Sequence, residues 1–180
     1  MTKQALIIID IQNDYFKGGN MELFQPESAL DNVLKLEERF KKDNQPIIYI
    51  QHINEDPNAS FFVKDTEGVE LRKELNPSEK DDIIIKHYPN SFLETNLQNK
   101  LKELDVEQLV ICGMMTHMCV DSTTRAAAEL GYQPILIEDA TATRSLEYGQ
   151  NKVDAEQVQT SFIAALQAFA QVESTNTFLK

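Results

Sequence analysis

Cysteine is scarce in this chain, and positive charge is in deficit. The two cysteines, Cys112 and Cys119, lie seven positions apart, one inside an apolar run and one just beyond it, so they build no disulfide framework. That usage fits a reducing compartment, and a cytoplasmic location is expected. The 17 Lys and Arg residues stand against 29 Asp and Glu, for a net charge of -12. A balance of that sign repels nucleic-acid phosphates and anionic membrane surfaces and mainly promotes solubility. No apolar run approaches the ~18 residues that would span a bilayer. The opening Met-Thr-Lys-Gln leads straight into an apolar run, so no signal-peptide layout is expected. Glycine-rich phosphate loops are missing too: neither G-x-G-x-x-G nor a P-loop follows the first strand, which argues against a nucleotide-binding module.

What is present describes an ordinary globular chain. Its 180 residues, 42% apolar and 26% charged, suit a single domain over residues 1–180. Ala5-Leu-Ile-Ile-Ile9 is a continuous apolar run ending in Asp10 and reads as a central strand. Further strands are expected at 46–50, 82–85, 109–112 and 134–137, with a short edge strand near 172–175. Helices fit between them. One runs from about Ala29 to Lys42 behind a Ser28 N-cap. A second opens on the capping box Ser91-Phe-Leu-Glu94. A third runs from Thr116 to about Leu130, stopped by Gly131. A fourth opens on Asp154 to Gln157. Strand and helix alternate, and the strands are apolar throughout rather than alternating. The pattern predicts an α/β protein, a three-layer α/β/α, Rossmann-like doubly wound fold on a five- or six-stranded parallel sheet. The irregular stretch from Ile53 to about Lys80 is long enough to be functional or mobile.

Right-handed crossovers put every strand's carboxyl end on one edge. Asp10, Lys86 and, just past Gly113, Cys119 are the chemically loaded residues there. Cys119 falls at a helix start beyond a strand end, where the partial positive charge favours thiolate over thiol. A nucleophilic thiol needs a base, and a carboxylate beside a thiolate needs a cation. Asp, Lys and Cys supply that set. Strand order 3-2-1-4-5 brings Asp10 and Cys119 together across the switch-point crevice. It leaves Lys86 two strands away, within plausible reach only.

Four segments carry a family resemblance: Ile9-Asp10-Ile-Gln12-Asn-Asp14-Tyr-Phe16, Gln51-His52, Lys86 ahead of Ser91-Phe92, and Gly113-Met-Met-Thr116-His-Met-Cys119-Val120 with Thr124-Arg125-Ala126. Together they resemble the isochorismatase-like cysteine hydrolases, which include nicotinamidases and N-carbamoylsarcosine amidohydrolases, from Ala5 to about Leu179. The resemblance implies a catalytic triad of Asp10, Lys86 and Cys119, and a cis peptide between Met114 and Met115. It also implies an oxyanion hole from the backbone N–H groups of Met115 and Cys119. The activity expected is hydrolysis of a C–N bond in a small amide, carbamoyl or ureido substrate. Thiolate attack would give a thioester, with Asp10 as base and Lys86 stabilising charge. Nicotinamidases in the family hold a metal with an Asp and several His after the second strand. This segment offers only Gln51 and His52, so no metal and no cofactor are expected. Isochorismatases proper lack the nucleophilic Cys.

Other readings stay in view. His117 could pair with Cys119, although i, i+2 spacing on a helix sends the side chains to different faces. Tyr15, Phe16, Phe61, Phe62, Tyr88 and Phe92 either pack loops or line a pocket, and Phe16 and Phe92, as sequence neighbours of the triad, are the preferred substrate-binding candidates. A redox sensor would need a resolving Cys more accessible than Cys112. The remaining alternatives are a non-catalytic small-molecule-binding or scaffold protein on the same fold, or an isochorismatase or nicotinamidase proper. A small-molecule substrate and assembly into a homo-oligomer, dimer or tetramer, are the expected partners.

Overall fold

The computed structural model describes residues 2–180. Its main sheet has six strands, β1 (Gln4–Ile9), β2 (Ile47–His52), β3 (Asp82–Lys86), β4 (Gln108–Met114), β5 (Gln133–Ala142) and β8 (Gln171–Glu173), in the order β3-β2-β1-β4-β5-β8. All neighbours in it are parallel. The helices α1 (Pro26–Lys42), α2 (Leu97–Glu103), α3 (Asp121–Glu129), α4 (Ala155–Leu166) and α5 (Thr175–Phe178) complete the frame, with a small hairpin β6–β7 (Leu146–Tyr148 and Asn151–Val153).

The continuous apolar strands follow from burial on both faces. In β1, Leu6 and Ile8 pack into the core that includes α1, while Ala5, Ile7 and Ile9 pack with residues of α2 and α3 on the other face. β3 lies at the edge and keeps this double burial only in part. Ile84 and Lys86 are buried, but Ile83 and Ile85 are 48% and 49% exposed.

Several helix starts differ from the sequence expectation. α1 begins at Pro26, not after Ser28: Gln25 takes a left-handed φ of 50° and Pro26 supplies the first helical residue, a position where its missing N–H costs nothing. The Ser91 capping box does not form. Ser91 instead bonds the Thr123 hydroxyl at 2.8 Å, Glu94 sits at φ 55°, and α2 starts only at Leu97. Between β4 and α3 lies a π-helical turn, Thr116–Val120, in place of the first turn of a regular helix. β5 runs on to Ala142, with a register shift against β4 between Ile111 and Gly113. The β6–β7 hairpin turns on Gly149 at φ 60°. Its strands are too short and polar to stand out as a periodic pattern.

The 53–80 stretch is packed down. The Asp14 carboxylate accepts the Phe62 and Asn20 N–H groups at 2.6 and 3.0 Å. Gly68 lies so close that a Cβ there would meet Asp14 Oδ1 at 2.2 Å. Phe62, Val69 and Leu75 anchor the stretch in the α1-side core.

Candidate active site

The site forms where β1 meets β4, at the point where the chain reverses its winding and open α/β sheets leave a crevice. Asp10 follows β1 with φ 50° and is fully buried. A left-handed conformation at a non-glycine residue is uncommon and costs on the order of 1–2 kcal/mol. Here it turns the chain at the strand end, with the Asp10 N–H still donating to Ile50 O at 3.1 Å. Gly113, opposite Ile9 in the ladder, has φ 122°, and a Cβ there would stand 2.0 Å from Ile9 O. Only glycine lets β4 lie this close to β1 just before the chain reaches Cys119. The Met114–Met115 peptide is cis.

Three strand ends converge on one ammonium group. Lys86 Nζ is 2.9 Å from Asp10 Oδ2 and 3.2 Å from Cys119 Sγ. It also reaches His52 Nδ1 at 2.9 Å and Tyr88 O at 3.0 Å. Asp10 and Lys86 are both 0% exposed and Cys119 is 3% exposed. The reach of Lys86, which strand order alone left open, comes from a long side chain at the buried end of β3. The Asp10–Lys86 contact is an ion pair without directed hydrogen-bond geometry, and neither Asp10 carboxylate oxygen has a hydrogen-bond partner among the described residues. A buried carboxylate with lone pairs to spare can accept a proton.

The electrostatics revise one expectation. Burial pushes the Cys119 thiol up, Asp10 raises it further, and Lys86 only partly offsets this. Two acidic groups share one buried cation, and a second negative charge would go uncompensated. That balance works against the thiolate expected from the helix terminus. Burial disfavours the Lys86 ammonium, but Asp10 and Cys119 more than offset it and hold its pKa above the ordinary lysine value.

Around this centre, Gln12 holds the end of β2. Its side chain accepts the His52 N–H at 2.8 Å and donates to His52 O and Val69 O at 2.9 and 2.7 Å. Burial, and then Lys86, lower His52 to about 4. Tyr15 is buried against Phe62, ring centroids 4.5 Å apart. Burial, then Cys119 and Asp10, push its phenol up, so its hydroxyl lies within the field of the site. Arg144 follows β5 and has no carboxylate within ion-pairing distance among the described residues; its Nε is buried without an acceptor. The Met115 carbonyl takes the Met118 and Val120 N–H groups at 3.0 and 3.2 Å and skips the Cys119 N–H between them.

The remaining sequence candidates have partners of their own, although Phe92 also packs against the apolar cluster that holds Cys119. Phe16 is 2% exposed under the Arg72 guanidinium, 4.5 Å away. Phe92 stacks on Tyr132 at 6.0 Å. His117 hydrogen-bonds the Thr143 hydroxyl and meets Phe162 edge-on, with Nε2 buried and without a partner among the described residues. Sequence reasoning left the role of His52 open and did not single out Arg144. The signal for His52 was available, since His52 and Lys86 close adjacent strands and are register partners.

Asp10, His52 and Cys119 each present an atom within 4.8 Å of the others, a spacing that could suit a metal ion. The Lys86 ammonium already contacts all three. A divalent cation added there would face a positive charge at van der Waals distance. The residues do not fit a metal while Lys86 is charged.

A six-stranded parallel sheet between helical layers, with a buried Asp, Lys and Cys at its switch point, defines the class of protein. Residues 4–177 match the isochorismatase domain model. An uncharacterized isochorismatase family protein of Bacillus subtilis is 48% identical over 98% of both chains. A streptothricin hydrolase of Streptomyces noursei is 30% identical over 78% of this chain and 50% of its own, and nicotinamidase 3 of Arabidopsis thaliana is 25% identical over 77% and 73%. A crystal structure from Oleispira antarctica superposes with a TM-score of 0.94 at 36% identity, covering 98% of this chain and 96% of the other. The chain belongs to the isochorismatase family, and it is a hydrolase. No helix among the described residues is long and apolar enough to cross a membrane.

Proposed function

We propose that this hydrolase, acting as a single domain, cleaves a C–N bond of a small amide, carbamoyl or ureido compound through a thioester on Cys119. The observation that carries the reading is the Lys86 ammonium standing 2.9 Å from Asp10 and 3.2 Å from Cys119 with all three groups buried. Asp10 takes the thiol proton as sulfur attacks the carbonyl carbon, and negative charge moves from the carboxylate through sulfur to the carbonyl oxygen. Lys86 faces both the donor and the acceptor of that charge, so the transfer needs little reorganisation. The Met115 and Cys119 N–H groups receive the oxyanion, a role supported by the Cys119 N–H being passed over by the Met115 carbonyl. Collapse breaks the C–N bond, and protonated Asp10 gives its proton to the departing nitrogen. Water then attacks the thioester carbon, Asp10 takes a water proton, and the acid leaves as the proton returns to sulfur.

We also propose that copies of the chain associate, because an edge strand showing Ile83 and Ile85 leaves apolar surface a second copy could cover. A mass in light scattering equal to one chain would remove that part.

The test is a turnover screen over amides, carbamates, ureido compounds and nicotinamide, followed by intact-mass analysis with the slowest substrate. An acyl adduct on Cys119 and activity that survives chelation are expected. An adduct on any other residue would overturn the thioester. Activity lost on chelation and restored by zinc or iron would favour a metal-dependent amidase instead.

A further inference from the structure

The Lys86 ammonium has three protons and four neighbours. Two are neutral acceptors, His52 Nδ1 at 2.9 Å and Tyr88 O at 3.0 Å. The other two, Asp10 and Cys119, exchange a proton in the proposed chemistry. An ammonium has no lone pair, so Lys86 donates and His52 Nδ1 must accept, which requires the neutral imidazole with its proton on Nε2. His52 is fixed in turn. Gln12 brackets its backbone on both sides, its register partner on β3 is Lys86 itself, and its ring lies 5.9 Å from that of Phe62.

We propose that His52 is a positioning residue for Lys86. Together with the Tyr88 carbonyl it takes two of the three ammonium protons and leaves the third for Asp10 and Cys119. The inference rests on the cysteine-hydrolase reading. A lysine held only by Asp10 would follow the carboxylate, whose charge vanishes when it takes the thiol proton. A lysine held from behind by two acceptors that never change charge stays in place while negative charge passes to sulfur. The imidazole thus does second-tier work: it touches neither substrate nor sulfur, and it acts through the ammonium. Asn at position 52 can present a carbonyl oxygen near the place of Nδ1, whereas Gln reaches farther, nearer the place of Nε2.

The test uses the whole chain and two readouts, turnover of the best substrate from the screen and alkylation of Cys119 by iodoacetamide at pH 8.5. Unreacted Cys112 reports an intact fold in every variant. His52→Ala should lower kcat at least ~10-fold with KM little changed and slow Cys119 alkylation by a similar factor. His52→Asn should recover most of both rates, and His52→Gln should not. In a Lys86→Met background, His52→Ala should add nothing, since its effect runs through the ammonium. Equal effects of His52→Ala in the presence and absence of Lys86, or no rescue by Asn, would overturn the positioning role. So would a His52→Ala enzyme with wild-type rates. All of these leave the hydrolase reading standing if Cys119→Ala is inactive. A fully active Cys119→Ala would instead remove the hydrolase reading on which the proposal rests.

Discussion

The two cysteines stand seven residues apart in one strand–turn unit, and both are buried. Cys112 is 0% exposed in the α1-side core, and its nearest hydrogen-bonding neighbour is Ile7 O at 3.7 Å. Cys119 is 3% exposed on the opposite side of the sheet, beside an ammonium and a carboxylate. Burial is the leading cause that pushes both thiols up. Burial therefore cannot be what would set the proposed nucleophile apart from the other thiol. The separation lies in whether a buried base can take the proton and whether a buried cation can receive the charge that remains.

The comparison breaks most easily at the thiols themselves. Cys119→Ala should reduce turnover by at least ~10³-fold, as loss of a nucleophile does, while the fold survives removal of one sulfur. Cys112→Ala should leave turnover near wild type and cost about 1–3 kcal/mol in denaturant unfolding, since it opens a small void in a packed core. Reversal of the two phenotypes would end the argument.

The cation comes next. Lys86→Met leaves the Asp10 carboxylate buried without its partner, and breaking a buried pair from one side costs about 3–5 kcal/mol. Urea titration at neutral pH should show that loss. Alkylation of Cys119 should slow in the same variant, and alkylation of Cys112 should stay undetectable. A Lys86→Met protein as stable as wild type would show that the ion pair is not the element that balances this site.

A smaller effect separates a resting thiol from a resting thiolate. With Cys119 raised above the ordinary thiol range, its alkylation rate should climb steadily from pH 6 to pH 9. A rate already on its plateau at pH 6 would restore the helix-terminal thiolate that the sequence suggests.

Asp10 and Lys86 stood out because each closes an apolar run, and Cys119 because it lies at a helix start beyond one, while the reach of Lys86 across two strands stayed open in the sequence. The two-sided burial of β1 and β4 was legible for the same reason, as a run without polar interruption. What escaped depends on contacts between segments far apart in sequence. The π-helical turn at Thr116–Val120 has no composition signal, because a helix pattern looks alike whether or not one residue is added to a turn. Ser91 meets the requirements of a cap but finds Thr123 as a partner 32 residues away, and tertiary contact overrides the local motif. The upward push on the Cys119 thiol could not be read from position in a helix, since it comes from burial and Asp10, offset only in part by Lys86.

The least effect expected is at His117, the imidazole that sequence spacing brings nearest to Cys119. Burial, and then Arg144, lower it to about 4. Its neighbours, Thr143 and Phe162, belong to the β5 and α4 side of the molecule, and no hydrogen bond joins it to Asp10, Lys86 or Cys119. Its folded-state value lies below that of an unfolded histidine, near 6.5. Between about pH 6.5 and 4 the unfolded chain thus binds a proton that the folded chain refuses. Stability from this source is complete above the unfolded value and is lost as pH falls through that window. His117→Gln removes the titration and should flatten the pH dependence of unfolding free energy there, by at most about 1.4 kcal/mol per pH unit. The same variant should alkylate Cys119 at the wild-type rate, in contrast to His52→Ala. Unfolding titrations at pH 5, 6 and 7, paired with alkylation rates, check both halves. If His117→Gln slows alkylation as Lys86→Met does, the imidazole belongs to the ionic centre, and a Cys–His pair replaces the Asp10 base.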